Sequence, residues 1–264
     1  GTQVQLRKYR IKFSRINHIF ISHLHGDHFF GLPGLISTFR LLGREKELHI
    51  YGPKGIKEAI TLFLKLGDSW TNYPLIFHEL EEKGQHLLFE DDKISVQTIP
   101  LDHRVYTNGF LFQEKEAPRT LNVEAAKSFG IDKSQFNNIK KGMDGLDKNG
   151  NTVPNKKLTF DPDPPKSYAF CSDTVYRETV VPFIKDVDVL YHESTFLDSE
   201  SHLCEKTKHS TAKQAAQIAK MAHAKQLILG HYSTRYKSIE LFGKEAMEVF
   251  QNVELADDGK TFQF

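Results

Sequence analysis

Four side chains able to hold a metal ion stand within six residues, His23-Leu-His25-Gly-Asp27-His28, directly after the apolar run His18–Ser22. On a loop, residues two apart can point to one side. His23 and His25 then read as serving one ion, and Asp27 and His28 a second. Imidazole and carboxylate donors suit zinc, manganese or iron. A single loop cannot close two such sites, so more donors are needed downstream. His103 follows the apolar run Ile94–Leu101, Asp173 follows Ser167–Cys171, and His231 follows Gln226–Gly230. Open α/β sheets build sites from residues at the ends of several strands. Each of the three alone is also an ordinary polar loop residue. Together with the first motif they point to a hydrolytic centre with two metal ions.

The elements that must position these donors follow from the pattern of apolar residues. Strands are predicted at His18–Ser22, Leu48–Tyr51, Leu75–Leu80, His86–Glu90, Ile94–Leu101, Gly109–Gln113, Ser167–Cys171, Val187–His192 and Gln226–Gly230. Helices are predicted over Phe29–Leu42, from Pro53 to about Leu66, and over Tyr176–Ile184, Thr211–Ala222 and Ser238–Phe250. Pro53 would sit in its helix's first turn, and Ser210 or Thr211 would cap the fourth. Strands cluster first and then alternate with helices, which suits layered α/β architecture in a single domain over 1–264. The stretch 114–165 differs: it is polar, rich in Lys, Asn, Asp and Pro, with one short helical pattern around Val123–Phe129. It reads as an excursion from the core, more mobile than the rest.

Composition narrows the function classes. Lys and Arg total 35 against 34 Asp and Glu, so there is no global basic footprint for nucleic acid, and any RNA site must be local. No apolar run approaches the roughly 18 residues that span a membrane. The two cysteines, Cys171 and Cys204, make no disulfide framework, which favours a reducing compartment. Gly1-Thr2-Gln3 carries neither an initiator methionine nor a signal-peptide pattern, and an N-terminal portion is expected to precede it.

The order His-x-His-x-Asp-His, then His, Asp and His, is similar to that of the metallo-β-lactamase superfamily. Within it the local text resembles the ribonuclease Z family. The resemblance is carried by Gly1-Thr2-Gln3, by Phe20-Ile-Ser-His-Leu-His-Gly-Asp-His28 with Gly31-Leu-Pro-Gly34, and by His192-Glu193-Ser194-Thr195. His209-Ser210-Thr211 and His231-Tyr-Ser-Thr-Arg235-Tyr236 complete it. The sequence departs from the family where Ser172 precedes Asp173 in place of glycine. The family's leading strand pair has no counterpart here. The excursion also lacks the dense Gly-Pro-basic text of the arm that holds the tRNA elbow, with Lys140-Lys141-Gly142 as a remnant.

The resemblance implies a four-layer αββα sandwich, with one ion on His23, His25 and His103, the other on Asp27, His28 and His231, and Asp173 bridging. The ions would be Zn2+, with Mn2+ or iron as alternatives. It further implies a cytoplasmic homodimer that removes the 3′ trailer from precursor tRNA, leaving a 3′-hydroxyl on the tRNA. Asp27 would orient the attacking water. His209, held by Glu193, would be the general acid, since a carboxylate partner favours imidazolium. For His209 the alternative is a polar residue at a helix start, and for Glu193 a structural carboxylate. Arg235 suits a substrate phosphate, or else is a solvated surface residue. The remaining histidines, His18, His49, His78, His86, His202 and His223, have no ligand context. Two other functions fit the same residues: a phosphodiesterase or arylsulfatase acting on small esters, and a metal- or partner-binding module without activity.

Overall fold

The computed structural model describes residues 1–264. Two sheets organise the larger of its two compact units, which comprises Gly1–Phe89, Val96–Phe112 and Ser167–Phe264. The first sheet holds His18–Phe20, Leu48–Pro53 and Leu75–Leu80, all parallel, with helices Gly31–Leu41 and Ile56–Leu66 as crossovers. Its middle strand is buried at nearly every position, as a strand covered on both faces must be. Leu48 and Ile50 pack with Leu32, Leu35, Ile36 and Phe39 of one helix and Ile56, Ile60 and Leu64 of the other.

The second sheet has seven strands in the spatial order Val253–Leu255, Gln226–Gly230, Val189–Glu193, Ser167–Cys171, Asn108–Glu114, Ile94–Pro100 and Leu87–Glu90. The first four are parallel. Helix Ala212–Met221 presents Ala212, Ala215, Ala216 and Ala219 to the cluster that includes Leu190, Leu227 and Leu229. Small side chains let its axis approach the sheet closely. Between the sheets, Phe20 meets Phe110 and Phe112 at 5.4 and 5.6 Å between ring centroids. The layers therefore run helix, sheet, sheet, helix, the αββα order anticipated above.

Several boundaries differ from the sequence reading. Pro53 ends a strand; the helix starts at Ile56, after Gly55 takes a left-handed turn at φ +97°. Tyr176–Ile184 is a 3-10 helix over Glu178–Ile184, because Pro182 has no N–H to give an α-helical ladder. Thr211 is the cap of its helix: its hydroxyl accepts from the Gln214 amide while the Gln214 side chain accepts from the Thr211 N–H.

The second unit, Glu90–Ser95 with Gln113–Lys166, contains the whole of the segment read as a polar excursion. It has its own buried cluster of Ala126, Ile131, Ile139, Val153 and Leu158. Short helices at Val123–Ser128, Phe136–Lys140 and Asn155–Leu158 and two two-stranded pairings surround that cluster. Asn155 ties them by donating to the carbonyls of Ile139 and Met143 at 2.7 and 2.6 Å. Only one helix was legible in the sequence because these apolar residues are few and widely spaced, and give no period.

Gly109, on strand Asn108–Glu114, has no room for a side chain against its neighbour Ser167–Cys171: a Cβ there would lie 2.4 Å from the Phe170 carbonyl oxygen. Gly109→Ala should lower stability by about 1–3 kcal/mol through overpacking, read as a shifted denaturant midpoint at constant slope. An unchanged midpoint would mean that the two strands stand further apart than described.

Candidate metal centre

Four of the expected donors lie on the chain just beyond a strand: His23 after His18–Phe20, His103 after Ile94–Pro100, Asp173 after Ser167–Cys171 and His231 after Gln226–Gly230; Asp27 and His28 sit in the short helix Gly26–Phe29. The strand ends bring them together. His25 Nδ1 is 3.1 Å from His23 Nε2 and 3.2 Å from His103 Nε2. Asp173, buried, divides its two oxygens: Oδ2 is 3.6 Å from His23 and 3.8 Å from His103, and Oδ1 is 3.3 Å from both His28 and His231. Asp27, mostly exposed, places Oδ2 3.4 Å from His28 and 3.9 Å from His231. The potential ligand atoms of His23, His25, His103 and Asp173 fall within 4.8 Å of one another, as do those of Asp27, His28 and His231.

Hydrogen bonds behind the ring nitrogens decide which face carries the lone pair. His103 Nδ1 is 2.8 Å from the Lys208 carbonyl, which can only accept, so Nε2 is left as an acceptor. Lys208 turns that carbonyl inward from a left-handed backbone at φ +61°. His231, itself at φ +58°, has Nδ1 2.8 Å from the Thr195 hydroxyl. That hydroxyl donates its one proton to Glu193 at 2.8 Å, so it accepts from Nδ1–H, and His231 Nε2 faces Asp173 with its lone pair.

This donor set fits a pair of divalent ions. His25 Nδ1 stands from the ring nitrogens of His23 and His103 at close to the roughly 3.3 Å expected around a tetrahedral ion with bonds of about 2.0–2.1 Å. His28 Nε2 is buried and near Asp173, yet makes no well-formed hydrogen bond. Burial pushes His23 down to about 3, assisted by the charge of His28, and burial also lowers His103. Both are therefore neutral near pH 7, the form that binds metal. Burial alone would raise Asp173, but the close approach of His28 at 3.3 Å and the charges of His231, His28 and His23 hold it well below the usual carboxylate range.

Glu193 ends its strand fully buried and accepts four hydrogen bonds. They come from the Thr174 amide at 3.0 Å, the Thr195 amide at 2.9 Å, the Thr195 hydroxyl and His209 Nδ1–H at 2.8 Å. Burial opposes protonation of His209, but the Glu193 hydrogen bond and charge outweigh it and raise the pKa. The His209 ring stacks on His231 at 5.2 Å and lies 5.1 Å from His103. His209 also offers a nitrogen within 4.8 Å of Asp173 and His231. His192, fully buried, points from the other side of the strand and donates from Nδ1 to the Glu193 carbonyl at 2.7 Å.

Arg235 is not brought to the donors as a free cation. Its guanidinium pairs with Glu200 at 3.2 Å and lies over Phe196 at 5.0 Å. The residues missed by sequence reasoning are the hydroxyls beside the ligands. Ser22 lies 3.0 Å from His23 Nδ1, Ser172 donates to Asp173 at 2.9 Å, and Thr195 orients His231. Their signal was proximity in the chain: Ser22 and Ser172 directly precede His23 and Asp173, and Thr195 stands two residues after Glu193.

The layered fold and the histidine–aspartate centre are those of a metallo-β-lactamase-fold protein. Comparison with known proteins carries this further. Ribonuclease Z of Bacteroides fragilis is 47% identical over 258 residues, which cover 98% of this chain and 85% of that protein. Ribonuclease Z of Bacteroides thetaiotaomicron is 46% identical over 256 residues, covering 97% and 81%. The chain belongs to the ribonuclease Z family. The short form of human tRNase Z superposes with a TM-score of 0.67 at 28% identity, over 98% of this chain and 83% of the human one. The metallo-β-lactamase-fold protein YhfI of Bacillus subtilis gives 0.65 at 16% identity over 98% and 82%, a likeness of fold alone. A family model described as the anti-Pycsar protein Apyc1 matches residues 1–115.

Metal-saturated protein should hold two ions per chain by elemental analysis. Thr195→Val should loosen one of them by about 10–100-fold, the usual cost of losing the group that orients a ligating histidine. If both ions loosen equally, or neither does, His231 is not oriented by Thr195 as a ligand of one ion.

Proposed function

We propose that this chain is a metal-dependent endoribonuclease that removes the 3′ trailer from precursor tRNA and leaves a 3′-hydroxyl on the tRNA. The observation that carries the reading is the pairing of the divided donor set around Asp173 with membership of the ribonuclease Z family. His23, His25 and His103 would hold one ion and Asp27, His28 and His231 the other, with Asp173 between them. Zn2+ suits these donors best, and Mn2+ or iron would be accepted by the same set. A pair of divalent ions supplies Lewis acidity to a phosphate and lowers the pKa of an attacking water.

The protein's own groups do the rest. Asp27, exposed at the rim, orients the attacking water and takes its proton. The leaving group is a ribose 3′-oxygen, a poor one until protonated. His209 is placed to supply that proton: its Nδ1–H is committed to Glu193, so Nε2 is the nitrogen left to donate. Glu193 is a positioning residue, buried behind His209 and away from substrate. The excursion at 114–165 is assigned to docking of the tRNA body.

We place the enzyme in the cytoplasm, as a homodimer. Both thiols are buried and unpaired, and no helix is long and apolar enough to cross a membrane. Helix Ile56–Leu66 exposes Leu62, Phe63 and Leu66, and Phe30 stands 6.4 Å from Phe63, an apolar surface suited to a second copy.

His209→Ala should lower kcat on precursor tRNA by about 10²–10⁴-fold, the usual contribution of a positioned general acid, with metal content unchanged. The loss should shrink on bis-p-nitrophenyl phosphate, whose leaving group departs without a proton. Glu193→Gln should act in the same direction. Equal losses on both substrates, or release of an ion from His209→Ala, would make His209 a ligand or a structural residue instead.

A further inference from the structure

Beside the metal-ligating His103 opens a cavity of about 350 Å3, with Lys83, Asp102, Arg104, Tyr106 and Asn108 in its lining. Its polar wall is fixed in advance. Tyr106 donates its hydroxyl proton to the Glu82 carbonyl at 2.8 Å and accepts from Asn108 Nδ2 at 2.9 Å, and Asn108 is buried. Two cations in the lining differ from their neighbours. Close by, Arg177 and Lys208 are spent on carboxylates: Arg177 pairs with Asp102 and Glu205 at 2.9 Å each, and Lys208 with Glu205 at 2.7 Å. The side chains of Lys83 and Arg104 have neither an ion pair nor a hydrogen bond. Asp102, the carboxylate in the same lining, is engaged by Arg177 at 2.9 Å. Arg104 immediately follows His103, and its charge reaches His209, where it opposes protonation.

An unneutralised guanidinium and ammonium on the rim of a preformed polar cavity call for an anion, and a guanidinium matches two oxygens of a phosphate. The metal centre accounts for one phosphate only. On an RNA strand the next phosphate is one nucleotide away, whereas a small diester has none to offer. We propose that Lys83 and Arg104 form a subsite for the backbone phosphate next to the one being cut. This rests on the nuclease reading above. The subsite adds binding to RNA that small esters cannot use, and gives a chain of net charge +1 a local hold on a polyanion.

The test compares R104A, R104K and the double variant K83A/R104A with the wild type on precursor tRNA and on bis-p-nitrophenyl phosphate. R104A should raise KM for precursor tRNA by roughly tenfold, the effect of one lost charge-assisted contact, with a far smaller change in kcat. The slope of log kcat/KM against log salt should flatten by about 0.7 for each cation removed, as for contacts to single strands. R104K should recover the salt slope but not the full KM, since it keeps the charge and loses the fork. The loss on the small diester should be several-fold less. Equal losses on both substrates would put Arg104 at the reaction centre and overturn the subsite. So would an unchanged KM and salt slope on RNA. A wild type that hydrolyses the small diester but leaves precursor tRNA intact would overturn the nuclease reading itself, and the subsite with it.

Discussion

The centre depends on one buried carboxylate. Glu193 is inaccessible to solvent, and an isolated charge there would cost several kcal/mol. The chain offsets that cost with four donors drawn from three separate segments: Thr174, Thr195 and His209. Each tie has a consequence at the reaction centre. Thr174 follows Asp173, the proposed bridge, Thr195 fixes the tautomer of His231, and His209 is the proposed acid. Removing the carboxylate would leave three loops without a common anchor.

Around this anchor the parallel sheet supplies the geometry. Ser167–Cys171, Val189–Glu193 and Gln226–Gly230 run side by side in one direction, so Asp173, Glu193 and His231 emerge at the same edge. The loops that follow need unusual backbone. Lys208 and His231 both sit in the left-handed region, where non-glycine residues carry a conformational cost, and both serve the site. Lys208 is held from both ends, its carbonyl on His103 and its ammonium on Glu205. The ion pairs among Asp102, Arg177, Glu205 and Lys208 thus link the segments bearing His103, Asp173 and His209.

The sequence was most informative where chemistry concentrates donors at strand ends. His23 to His28 declared itself through spacing alone, and His103, Asp173 and His231 through their position after apolar runs. The strand limits held to within two or three residues because buried parallel strands are nearly continuous apolar text. The roles of Thr195 and Ser172 were not legible, since a hydroxyl that orients a ligand looks like any loop hydroxyl until its partner is in place. The surroundings of Arg235 were not legible either: its charge is visible in the sequence, but its partner Glu200 lies 35 residues away. Lys83 and Arg104 stood out only once their neighbours proved to be paired. The small core of the 113–166 unit was hidden by sparse apolar residues that meet only through turns.

In the proposed chemistry, water at the divided donor set around Asp173 displaces a ribose 3′-oxygen. Mapping the ends produced from precursor tRNA tests it most directly. Hydrolysis by this route leaves a 3′-hydroxyl on the tRNA and a 5′-phosphate on the released trailer, and chelation of the metal ions should abolish both products together. A 2′,3′-cyclic phosphate on the tRNA, or cleavage that survives chelation, would mean that the neighbouring 2′-hydroxyl attacks instead, and would contradict hydrolysis at this centre.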